Sequence, residues 1–187
     1  MSRERFQNWI DGDPQAFTHL YRSYYPRIRD FATALIGDPV AGEDLAQETF
    51  LRLYRAQAHL RQEGISNGRA LIYTICRRLA FQYSAYRRRW QTLAYHREEI
   101  LEVLALAVES TPEELLAAAE VGISVHRAID ALPEPQREVI LLRHMEDLSY
   151  KEISGVLQCS ISQVKARLHY ARKLLKGQLK RMNVRLS

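Results

Sequence analysis

The chain has 187 residues, enough for one large domain or two small ones, and a formal charge of +5. Its two cysteines form no CxxC, its six histidines (19, 59, 96, 126, 144 and 169) include no pair at ligand spacing, and no apolar run approaches the roughly 18 residues of a membrane span. Disulfide scaffolds, zinc modules and membrane spans are thereby set aside, and a nucleic-acid enzyme is disfavoured for want of a clustered His/Cys/Asp/Glu constellation near the basic faces; residues 1–10 lack a signal-peptide pattern, and a reducing cytoplasm is the expected compartment.

Nearly every segment repeats its apolar residues at three and four, so the expected class is all-α. Phe17, Leu20, Tyr21, Tyr24 and Tyr25 share a face that Ile28, Phe31, Ala32 and Leu35 continue beyond Pro26. Gly37-Asp38-Pro39 stops one helix and starts the next, expected over 41–58. There Leu45, Ala46, Thr49, Phe50 and Leu53 turn inward. Asp44, Gln47, Glu48, Leu51 and Arg55 form the opposite side, which reads equally as solvated surface or as a protein contact anchored by Leu51.

A turn-rich loop, Gly64 to Gly68, precedes a third helix over 70–89. Thr74, Arg77, Arg78, Phe81, Gln82 and Arg88 are expected on the side away from Leu71, Ile75 and Leu79. Cations, an amide and an aromatic ring on one face suit nucleic acid, because arginine meets phosphate while a ring stacks on an exposed base. The loop residues Asn67 and Arg69 lie beside that face, where a flexible backbone can close around a base taken out of the stack. Arg61 to Arg97 holds eight Arg against one Glu, a bias that a solvated face of mixed charge does not show. Glu98 to Glu120 then holds seven Glu and no Lys or Arg. Within that acidic block, Thr111-Pro112-Glu113-Glu114 is a helix start.

Leu132-Pro133-Glu134-Pro135 forces a break before the C-terminal group. Ser149 with Glu152, and Ser160 with Gln163, are successive capping boxes separated by the short turn Gln158-Cys159-Ser160. Two helices so joined must cross steeply, as in a helix-turn-helix. Ile161, Val164, Leu168, Ala171 and Leu175 form the inward stripe of the second. Lys165, His169, Tyr170, Arg172, Lys173 and Lys176 fall largely off it, and residues 161–187 carry eight Lys or Arg and no acid. The chain is expected to bind DNA. It divides into a helical domain at about 1–90, an acidic linker at 91–122 and a helical domain at 123–187.

The run Asp44-Leu45-Ala46-Gln47-Glu48-Thr49-Phe50-Leu51-Arg52-Leu53-Tyr54-Arg55-Ala56 resembles the region-two helix of bacterial sigma factors. Leu132-Pro133-Glu134-Pro135-Gln136-Arg137-Glu138-Val139-Ile140, with Leu148 to Ile153 and Val164 to Arg172, resembles region four. Size and spacing match the small extracytoplasmic-function (ECF) class. The resemblance implies a non-enzymatic subunit that binds RNA polymerase core (its β and β′ subunits) and directs it to promoters. Asp44, Gln47, Glu48, Leu51 and Arg55 would contact β′. The loop with Asn67 and Arg69, and the face Thr74, Arg77, Arg78, Phe81, Gln82 and Arg88, would read and help melt the minus-ten element. Ser162, Gln163, Lys165, Ala166, His169, Tyr170 and Lys173 would read the minus-thirty-five element. No further domain being expected after Ser187, control would come through a separate anti-sigma factor, with no cofactor or metal. The chain departs from the family pattern at Leu71 (commonly Trp), Arg78 (often Asn), Ser162-Gln163 (commonly Gly-Thr) and Tyr170 (often Arg). The rival reading is a helix-turn-helix regulator that binds duplex DNA unaided, its N-terminal half sensing a ligand or dimerising.

Overall fold

A computed structural model describes residues 3–65, 67–93, 125 and 127–181; the acidic block and the helix start at Thr111 lie outside them. Among the described residues there are helices and no strands. Helix α1 (Arg3–Ile10) leads into α2 (Pro14–Ile36), whose N-cap Asp13 accepts a hydrogen bond from the Gln15 amide at 2.8 Å, with Pro14 in the first turn. Pro26 sits inside α2 without ending it. Asp38 then caps α3 (Pro39–Arg55) by accepting from the Val40 and Ala41 amides, both at 3.1 Å. The helix expected over 41–58 is thus two: α3 stops at Ala56, and a short α4 (Gln57–Gln62) follows. Helix α5 (Gly68–Leu93) completes the first domain.

Leu45, Ala46, Thr49, Phe50 and Leu53 are buried as expected, and the Thr49 hydroxyl donates to the Leu45 carbonyl at 2.7 Å, so the one polar group among them is satisfied. Helices α2 and α3 approach closely at Gly42, where a Cβ would overlap the side chain and backbone of Thr33. Gly68 likewise lets the start of α5 lie on the Phe6 ring. The core stripe of α5 is rotated from the one expected. Ile72, Tyr73, Cys76, Leu79 and Ala80 are buried, whereas Leu71 and Ile75 are only half-buried, because α5 is packed on two sides, by α2 and α3 and by the second domain. Cys76 is held inert, since burial pushes its thiol up to about 12.

After a helical turn at 127–130, the second domain comprises α6 (Glu134–Ile140), a π-helical turn (Leu141–Met145), α7 (Tyr150–Leu157) and α8 (Ile161–Arg181). Both capping boxes form. The Ser149 amide donates to Glu152 at 2.9 Å while the Glu152 amide donates to the Ser149 hydroxyl at 3.2 Å; the Ser160 amide donates to the Gln163 carbonyl oxygen at 2.8 Å while the Gln163 amide donates to the Ser160 hydroxyl at 3.2 Å. Between them Gln158 takes the left-handed conformation (φ 51°, ψ 47°), and the Ser154 hydroxyl donates to the Cys159 carbonyl at 2.6 Å, which fixes the tight corner. Val164, Leu168 and Ala171 are buried, but Ile161 is exposed. At the first turn of α8 the inward stripe has not yet met its neighbour.

The N-terminal helix was invisible to periodicity over so short a run, yet Phe6, Trp9 and Ile10 are buried. Trp9 stacks obliquely on Phe6 and Phe17 with ring centres 5.5 and 5.4 Å apart, and its carbonyl accepts from the Gln57 amide at 2.5 Å. Trp9→Ala is therefore expected to destabilise the protein by about 3–5 kcal/mol. Urea denaturation should show the loss; a change below about 1 kcal/mol would mean that α1 is not part of the folding unit.

Candidate partner and nucleic-acid interfaces

On α3, Asp44, Gln47, Leu51 and Arg55 are exposed and Glu48 half-buried, with Glu48 accepting from the Arg52 guanidinium one turn on at 2.7 Å. All five share one side of the helix, as their spacing requires. Two aromatic residues enlarge the exposed apolar surface, and spacing alone had put Tyr21 inside. Tyr21 is exposed on α2, stacked on Tyr25 (4.8 Å) and edge-on to Phe50 (5.0 Å). Tyr54, three residues after Leu51, is more than half exposed and edge-on to Phe17 at 5.0 Å. An aliphatic anchor and tyrosines rimmed by acids and an amide have the make-up of a protein contact.

On α8, Ser162, Gln163, Lys165, Ala166, His169, Tyr170 and Lys173 are all exposed, and the helix from 161 to 181 has no acid. The Gln163 side-chain oxygen is engaged in the capping box, so that residue presents its amide nitrogen and stem. His169 and Tyr170 stand edge to face with ring centres 5.8 Å apart. About three turns of helix bearing these cations and polar tips, with no acid, fit a major groove.

The third face is not simply open. Arg78, Gln82 and Arg88 are exposed, while Thr74, Arg69 and Phe81 are half-buried. The Thr74 hydroxyl donates back to the Ala70 carbonyl at 2.8 Å. Asn67 caps α5, its side-chain oxygen accepting from the Ala70 amide at 3.1 Å. Arg77 stacks its guanidinium over Phe81, 4.5 Å from the ring centre, and holds Glu138 of the second domain with both ends of its fork, at 2.6 and 3.3 Å. One turn earlier, Glu146 of the second domain accepts from the Tyr73 hydroxyl and from Arg27 at 3.0 Å, and its main-chain carbonyl accepts from Arg69. Glu138 and Glu146 are each only 2% exposed.

Burial pushes the Glu138 carboxyl up against the pull of Arg77, and pushes Glu146 up against the Tyr73 hydroxyl, Arg27 and Arg69. Glu152 goes the other way. Its partial burial is outweighed by the Ser149 hydroxyl and amide, with Arg69 and Asn67 across the domain boundary, and its pKa falls below the ordinary value. Sequence reasoning missed this polar seam, because Glu138 lies on a helix that patterns as ordinary amphipathic surface and Glu146 lies in the turn after the π-helical segment.

Comparisons with known proteins match both helical domains. Residues 20–92 match the family model for Sigma-70 region 2, and residues 122–175 that for Sigma-70 region 4. The RNA polymerase sigma-H factor of Pseudomonas aeruginosa is 31% identical over 183 residues, covering 94% of either chain. The ECF RNA polymerase sigma-E factor of Escherichia coli K12 is 31% identical over 170 residues, 88% of this chain and 86% of that protein. The chain belongs to the ECF sigma factors. Among solved structures, the sigma factor RpoE of Bartonella quintana, in complex with the anti-sigma factor NepR, superposes on this sigma factor with a TM-score of 0.64 at 26% identity, covering 88% of this chain and 96% of that one. CnrH, solved with the cytosolic domain of CnrY, shares the fold (TM-score 0.66, 20% identity, 95% and 96% covered).

The lowered Glu152 pKa carries a sign. A carboxyl depressed in the folded state contributes stability that is full above its ordinary pKa and lost as pH falls through the lowered one. Glu138 and Glu146, being raised, contribute at low pH and fade as pH rises, but they are common to both sides of a comparison at fixed pH. Glu152→Gln should thus destabilise the sigma factor by about 0.5–1.5 kcal/mol at neutral pH. In urea titrations the deficit should shrink below the ordinary carboxylate range; a deficit unchanged down to about pH 3 would contradict the assignment.

Proposed function

We propose that this sigma factor binds RNA polymerase core and directs it to promoters, with its two domains reading two separated elements. Two observations support that reading over a lone helix-turn-helix regulator: a region-two match over the first domain, and an exposed protein-contact face on α3. Asp44, Gln47, Glu48, Leu51 and Arg55, with Tyr21 and Tyr54, form the surface for β′. Lys165, Lys173 and Arg172 on α8 meet phosphates of the minus-thirty-five element, and His169 and Tyr170 meet base edges. Arg69, Thr74, Arg77, Arg78, Phe81, Gln82 and Arg88 hold the minus-ten strand, with Asn67 fixing the loop by capping α5.

The polymerase supplies the chemistry and this chain supplies binding and strand separation. No described helix is long and apolar enough to cross a membrane, and we place the protein in the cytoplasm. An anti-sigma factor is its proposed regulator, by likeness to the RpoE complex with NepR.

Run-off transcription with purified core tests the central assignment. Adding the chain should give initiation at discrete start sites; promoter DNA shifted by the chain alone, with core left inactive, would favour the regulator. Within the same preparation, Gln47→Ala and Leu51→Ala should each weaken core binding by about 1–3 kcal/mol. Unchanged capture of core by both variants would remove the α3 face from the interface.

A further inference from the structure

Gln163 is the one residue of the α8 face whose hydrogen-bonding sense is fixed by the start of its own helix. The two ends of a side-chain amide have nearly the same shape, and their neighbours decide which is oxygen. Here the neighbour is the Ser160 main-chain N–H, which can only donate, so the Gln163 atom 2.8 Å from it is the oxygen. The Gln163 amide donates to the Ser160 hydroxyl at 3.2 Å and closes the box. The side chain is exposed, and its nitrogen, with two hydrogens, is the end left for a ligand. A glutamine free at both ends pairs with adenine, donating to N7 and accepting from N6. With its oxygen turned back to Ser160, Gln163 is a donor-only group.

Its place on α8 selects what it donates to. Gln163, Ala166 and Tyr170 stand at offsets of three and seven, so they share one line along the helix; all are exposed and none is charged. Lys165, His169, Arg172 and Lys176, at offsets of four, seven and eleven, form a second exposed line that carries three permanent cations. Phosphates are met by the cationic line, which leaves the uncharged one for base edges. Gln163 is the third residue of α8, and the first residues of such a helix are the ones that reach the bases. In the major groove guanine shows two acceptors, O6 and N7, and no donor. Adenine sets a donor beside its acceptor, thymine offers one acceptor, and cytosine only a donor. Guanine is the edge that an outward NH2 group fits best.

We propose that Gln163 is a specificity residue that selects guanine at one position of the upstream element, with Ser160 as the positioning residue that holds its amide as a donor. This rests on the reading of α8 as the minus-thirty-five face. The same pair of hydrogen bonds starts the helix and decides which base its first turn accepts.

The test exploits a substitution that keeps the cap and reverses the outward group. In Gln163→Glu one carboxylate oxygen still accepts from the Ser160 amide, so the capping box survives, while the other end becomes an acceptor. Duplex fragments randomised over the upstream element are captured on the full chain, with and without polymerase core, and sequenced. The wild-type chain should enrich guanine at one position. Gln163→Glu should move the preference at that position alone to cytosine, whose N4 donates, with guanine disfavoured on the order of tenfold. Gln163→Ala should flatten that position and leave the others as they were. A base profile unchanged in both variants, with binding weakened evenly across all sequences, would overturn the proposal by making Gln163 a phosphate contact, and would leave the α8 face intact. Adenine at the position that responds to Gln163→Glu would overturn the donor-only geometry. A wild-type profile flat over the whole upstream element, with and without core, would overturn the proposal together with the reading of α8.

Discussion

Glu146 sits between the two helical domains with a hydroxyl, a guanidinium and a second guanidinium on its carbonyl, all supplied by the first domain. Moving a carboxylate out of water costs several kcal/mol, which the two donors on Glu146 Oε2, Tyr73 and Arg27, help to offset. That requirement explains the local backbone. The π-helical turn Leu141–Met145 and the left-handed Asp147 (φ 50°) that follows it shift Glu146 out of the register an α-helix would impose. Its amide still reaches the Leu141 carbonyl at 3.2 Å, five residues back. The Arg77–Glu138 pair repeats the device one turn further along α5, so the two domains meet along a polar line bordered by apolar side chains.

The orientation of everything functional follows from that line. The α3 face lies on the first domain away from the described contacts with the second and stays available to a protein partner. The α8 face is likewise solvated along its length. The α5 face differs from both, because the second domain packs against it. Helices α5 and α8, which carry the proposed DNA faces, belong to domains that touch in this structure.

Much of this was legible in the residues. Capping boxes are local chemistry, and both formed where Ser149, Glu152, Ser160 and Gln163 stand. The inward set on α3 is a single clean stripe, because that helix is covered from one side. Sequence reasoning failed where a helix has two neighbours. The stripe of α5 rotated toward Ile72, Tyr73 and Cys76, and its cationic side acquired a covering domain that no spacing within α5 announces. Asn67 also caps α5 through its side-chain oxygen, a local role that the sequence expectation for the loop did not include. Helix α1 has 8 residues and offers only one helical set, Phe6, Trp9 and Ile10, too little on its own to assign it. The membership itself was legible, because two distinct motifs in order, at the right separation, constrain a chain far more than either alone.

The claim on which the arrangement depends is that the buried acids couple the two domains energetically. A double-mutant cycle between Tyr73→Phe and Glu146→Gln, read from urea unfolding of the full chain, measures that coupling with the smallest change of shape. Residues in direct contact within one polar network show interaction energies of about 0.5–3 kcal/mol. The structure predicts a coupling of at least about 1 kcal/mol within that range, and additive effects of the two substitutions would contradict it.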